Sequence, residues 1–199
     1  MAAKHFLETP PQKQLALRVE FHWHVDRFLH IVGVTNGEHF EPLLASVEGS
    51  TVDAWPANPV CQDLSMMEST ALFVGMAGTS HFSASIETTA SAIRFDMACR
   101  LKEAPKHLGS KYRILDPVNM IDAECLSFFF GDRHSGRLRL RSHNHDRVAT
   151  ISTPTGITLC VNNLPASYPA TVRWNYQFEL DDLLVANDNK RFLSNQTTP

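Results

Sequence analysis

Along much of this chain, apolar and polar residues alternate one for one. Over 15–26, Leu15, Leu17, Val19, Phe21, Trp23 and Val25 fall on one side, and Arg18, Glu20, His22, His24 and Asp26 on the other. A period of two sends successive side chains to opposite faces of a strand, so this spacing predicts a half-buried β-strand. The pattern returns at 81–87, where Phe82, Ala84 and Ile86 oppose His81, Ser83, Ser85 and Glu87. It returns again at 93–101, with Ile93, Phe95, Met97, Cys99 and Leu101 against Arg94, Asp96, Ala98 and Arg100, and at 172–180, with Val172, Trp174, Tyr176, Phe178 and Leu180 against Arg173, Asn175, Gln177 and Glu179.

Further β-segments are expected at 28–34, 42–48, 71–76, 126–130, 148–153 and 156–162, set off by Gly, Pro, Asn and Ser. Asp132-Arg133-His134-Ser135-Gly136 and Thr153-Pro154-Thr155-Gly156 read as hairpin connections. The glycine-bearing run Gly75-Met76-Ala77-Gly78-Thr79-Ser80 reads as another turn, since it lacks the lysine and the long helix of a phosphate-binding loop. Helical period is confined to 60–68 and 181–186. Short strands without crossover helices point to antiparallel pairing. The expected fold is an all-β, antiparallel, jelly-roll-like β-sandwich of about ten strands, with a closed or partly open barrel as the alternative. It occupies one domain over 12–186, between a flexible lead at 1–11 and a flexible tail at 187–199. Trp55, opening the proline-rich stretch Trp55-Pro56-Ala57-Asn58-Pro59, is expected on a loop as a lid over the core.

Composition narrows the function classes. The chain has 199 residues, 43% hydrophobic and 20% charged, and a formal charge of −3, without the basic excess usual in nucleic-acid binders. No apolar run is long enough to cross a bilayer and the first residues lack a signal peptide's apolar core, so neither nucleic acid nor a membrane is an expected partner and the expected location is cytoplasmic. Cys61, Cys99, Cys125 and Cys160 form no close pairs and read as buried thiols.

Candidate chemistry concentrates in one strand. From 137 to 145, Arg137, Arg139, Arg141, His143 and His145 occupy every second position. Five like-signed groups on one face repel one another unless an acidic strand, an anionic ligand or a metal lies alongside. The expected ligand-binding residues are Arg137, Arg139, Arg141, His143 and His145, with His81, Ser83 and Ser85. The function they suggest is a non-catalytic binding or interaction module for a polar or anionic small molecule or a carbohydrate, needing no cofactor.

Two alternatives stand beside it. His22 with His24 and His143 with His145 are His-X-His pairs whose rings can converge on a divalent metal such as zinc, which would make the protein a metal-dependent enzyme. A structural subunit meeting a partner chain, or forming a homo-oligomer, is the other. Serine-nucleophile catalysis is not expected, because no Gly-X-Ser-X-Gly elbow is present.

Overall fold

A computed structural model of the chain describes residues 5–50, 52–115, 119–122, 124–130, 134–142 and 148–185. The strands are β1 (His5–Glu8), β2 (Ala16–His24), β3 (Arg27–Thr35), β4 (Phe40–Ser46), β5 (Asp63–Met66), β6 (Thr70–Ala77), β7 (Ser80–Thr88), β8 (Ala92–Leu101), β9 (Gly109–Ile114), β10 (Asn119–Asp122), β11 (Cys125–Phe130), β12 (His134–Ser142), β13 (Val148–Thr153), β14 (Gly156–Val161) and β15 (Ala170–Val185). They form a seven-stranded sheet, β1-β2-β3-β4-β9-β14-β13, and an eight-stranded sheet, β10-β11-β12-β15-β8-β7-β6-β5. The two open antiparallel sheets pack face to face as a β-sandwich, not a closed barrel.

The period-two alternation decides which face of each strand is buried. In β8, Ile93, Phe95, Met97, Cys99 and Leu101 are buried, and their β15 counterparts Val172, Trp174, Tyr176 and Phe178 lie in the same core. Phe95 stacks on Tyr176 with ring centroids 5.0 Å apart. Across the sandwich, Phe21 of β2 meets Phe73 of β6 at 4.9 Å, and Trp174 Nε1–H donates to Ser110 Oγ of β9 at 3.2 Å. All four cysteines are free thiols; three are buried and Cys160 is half-buried.

Four strands and the C-terminal end of β15 escape the sequence pattern. Residues 63–66, expected to be helical, form β5, which hydrogen-bonds along β6. The stretch from 181 to 185 extends β15, because pairing with β12 runs out to Val185 and supplies the backbone partners that an isolated helical turn would need internally. β1 lies in the expected lead and pairs with β2, while β9 and β10 show too few alternations to stand out. Residues 187–199 lie outside the described residues.

The segment between β4 and β5 straps one end of the sandwich. Asn58, 1% exposed, donates through Nδ2 to the carbonyls of Val47 and Lys111 and accepts the Lys111 N–H at 3.2 Å. Trp55 on this strap is half-buried and packs against the core. An Asn58→Ala variant strips the Val47 carbonyl and the Lys111 N–H of their Asn58 partner, while the Lys111 carbonyl keeps the Val47 N–H, and it is expected to lose about 2–3 kcal/mol, read as a lower urea midpoint with unchanged slope. A midpoint equal to wild type would mean that the strap is not held there.

Candidate functional site

Residues directly opposite one another in an antiparallel ladder share a face, so strand register lays out the exposed side of the eight-stranded sheet row by row. At one end lies the basic stripe of β12. Arg137 stands opposite Asp181 of β15, Arg139 opposite Glu179 and Arg141 opposite Gln177. The ion pairs run diagonally. Arg139 donates to Asp181 Oδ2 through Nε at 3.0 Å and Nη2 at 2.7 Å, and Arg141 Nε donates to Glu179 Oε2 at 2.6 Å. Gln177 Nε2 donates to the other Glu179 oxygen. Asp181 in turn holds the Arg139 guanidinium above its ordinary pKa by hydrogen bonding and charge. The stripe therefore meets acids of its own chain, and His143 and His145 lie outside the described residues.

His81, Ser83 and Ser85 belong to the same face, toward its other end. One row across it reads Met76, His81, Arg100, Thr171; the next reads Val74, Ser83, Ala98, Arg173; the third reads Leu72, Ser85, Asp96, Asn175. Short side chains at Ser83, Ser85 and Ala98 leave a trench between the aliphatic residues of β6 and the long side chains of β8 and β15. It opens as two hollows of about 460 and 300 Å³ that share Val74, Ser83 and Ala98 in their walls. Gln62 and Asp63 complete the first hollow. Gln62 is fixed there because its N–H donates to the Val74 carbonyl and its Oε1 accepts the Met76 N–H. Gly75 permits this approach of the strap, since a Cβ at that position would lie 2.2 Å from the Val60 carbonyl oxygen.

The polar groups of the groove differ from those of the stripe. Among the described residues, the side chains of Arg100, Arg173, Asp63, Asp96 and His81 make no hydrogen bond or ion pair within the chain. Arg100, Arg173 and the two aspartates were not singled out by the sequence. Their signal was a run of small residues inside a polar face, beside aliphatic residues that continue to alternate on a strand already supplied with a buried face.

Of the two histidine pairs, His22 and His24 lie on β2 in the seven-stranded sheet, and His143 and His145 lie outside the described residues. His22 is tied by Nε2 to Glu20 Oε2 at 3.1 Å. Among the described residues, no group of three His, Cys, Asp or Glu side chains is placed to hold a metal ion.

A second polar cluster is buried between the sheets. His30 Nε2 lies 2.8 Å from the Tyr112 hydroxyl, which is 2.7 Å from the Tyr176 hydroxyl. Burial pushes the His30 pKa down to about 3. Nearby, Ser46 Oγ accepts the His30 N–H and donates to Glu48 Oε1 at 2.6 Å, and burial pushes the Glu48 carboxyl up to about 7. This cluster fastens the core and has no opening to the groove among the hollows described above.

No known protein-family model matches this chain, and no curated protein matches it in sequence.

Proposed function

We propose that the protein is a non-catalytic recognition module that binds a polar ligand in the groove across β6, β7, β8 and β15. The observation that carries this reading is the set of unengaged groups there. Arg100, Arg173, Asp63 and Asp96 offer donors and acceptors of both signs, above a floor of hydroxyls and beside an apolar wall. A guanidinium or carboxylate left without a protein partner keeps its hydrogen-bonding capacity for a ligand, whereas one already paired must first be released. The site thus shifts along the face, away from Arg139 and Arg141 and toward His81, Ser83 and Ser85.

The test is a panel of immobilised oligosaccharides, organic acids and synthetic peptides, probed with labelled full-length protein. Binding is expected to fall about ten-fold or more in an Arg100→Gln/Arg173→Gln double variant, given the usual worth of a charged hydrogen bond. An Arg139→Gln/Arg141→Gln variant is expected to bind like wild type. The reverse dependence would return the site to the stripe.

A further inference from the structure

We infer that the groove takes an extended peptide in which acidic residues alternate with aliphatic ones. This rests on the reading of the groove as the binding site and narrows its ligand class. Leu72, Val74 and Met76 stand at alternate positions of β6 and are 38%, 52% and 48% exposed. Alternate side chains of any extended chain are about 6.6–6.8 Å apart. A peptide laid along β7 therefore brings one aliphatic side chain beside each member of this ridge, in register and without strain.

Its intervening side chains turn to the opposite wall. There they meet Arg100 in the first row, Arg173 in the second and Asp96 in the third. Two guanidiniums without acidic partners fit carboxylates at two successive alternate positions, and Asp96 fits a basic side chain at the next. Beneath the peptide, the Ser83 hydroxyl and the His81 ring can hydrogen-bond its backbone N–H and C=O groups, and the Ser85 hydroxyl, which donates to Glu87 Oε1 at 3.0 Å, can still accept a backbone N–H. From His81 to Ser85 the groove runs about 13 Å, the length of a four- or five-residue extended segment.

The apolar wall favours a peptide over a sugar chain. The aromatic residues of the two hollows, Phe73 and Phe82, are buried, so the wall offers separated aliphatic knobs and no flat ring on which a pyranose could pack. Asp63, opposite Val74 on β5, lines the first hollow from the side of the ridge across from Arg100.

Fluorescence anisotropy on the full chain tests the inference with a labelled Asp-Leu-Asp-Leu-Lys-Leu peptide and its block isomer Asp-Asp-Lys-Leu-Leu-Leu. The alternating peptide is expected to bind about ten-fold or more tightly than the isomer, and Arg100→Gln/Arg173→Gln to remove that preference. Equal affinity for the two isomers overturns the inference. So does binding of cellohexaose in place of either peptide with the same arginine dependence, an outcome that leaves the groove standing as the binding site. Binding of the alternating peptide that is unchanged in the double variant overturns the placement in the groove as well.

Discussion

Replacing Trp174 by alanine is expected to cost about 3–5 kcal/mol and to lower the melting temperature by roughly 6–20 °C in a domain of this size. Trp174 is among the largest fully buried side chains, and it lies in the first third of the long β15. Its ring fills space between the sheets while Nε1–H satisfies Ser110 on β9. Alanine would open a cavity that two rigid sheets cannot close, and would leave the Ser110 hydroxyl in apolar surroundings. Ser110→Ala separates the two contributions, since it removes the hydrogen bond without opening the cavity and is expected to cost only about 1 kcal/mol. Thermal melts followed by circular dichroism measure both. A shift of a degree or two for Trp174→Ala would mean that the sheets do not pack through this residue.

Stability should depend on pH through two buried groups with opposite signs. Burial lifts the Glu48 carboxyl from an ordinary 4.5 to about 7. The unfolded chain releases this proton near 4.5 while the folded chain keeps it, so Glu48's contribution is complete below about 4.5 and is lost as pH rises to about 7. His30 behaves inversely. Its pKa falls from 6.5 to about 3, so its contribution is complete above about 6.5 and is lost as pH falls toward 3. Between about 4.5 and 6.5 the two one-proton slopes cancel.

Glu48→Gln removes one slope and leaves the other. Relative to wild type, the variant is expected to gain about 1.4 kcal/mol per pH unit across that window, or on the order of 3 kcal/mol by neutral pH. Urea denaturation of both proteins at half-unit steps reads the difference directly. A difference that stays constant with pH would show that Glu48 is not held protonated by the fold. The Ser46 hydrogen bond and then the charge of Arg27, itself 2% exposed, partly offset the burial of Glu48.

The sandwich was legible wherever a strand has one wet face and one dry face. β2, β7, β8 and β15 satisfy that condition, and the apolar positions that alternate along them as far as Leu180 are core positions, save the exposed Trp23 at the end of β2. β5 was hidden because it is a four-residue edge strand whose pattern is also compatible with a helical turn. β9 was hidden because Gly109 opens it and the polar Ser110, which serves the indole of Trp174, takes a place on its buried face, leaving Tyr112 as its one fully buried apolar side chain. The basic stripe stood out for a local reason, its uniform sign, but the acids that answer it are about forty positions away on β15.

The groove was obscured by the opposite circumstance. Its residues come from five strands and the strap, and none of those strands is unusual alone. His81, Ser83 and Ser85 could be read as one polar edge, yet their meaning depends on Arg100 and Asp96 beside them and on Arg173 one strand further. Pairing decides which charges are spent and which remain available. That information is carried by register, which a period of two leaves undetermined.

The most direct test of the account is a titration of isotope-labelled protein with the tightest-binding member of the panel, read at the arginine side-chain Nε–H resonances. The Arg100 and Arg173 signals are expected to shift and saturate together, with those of Arg139 and Arg141 unmoved. Saturating shifts at Arg139 and Arg141, with Arg100 and Arg173 still, would contradict it.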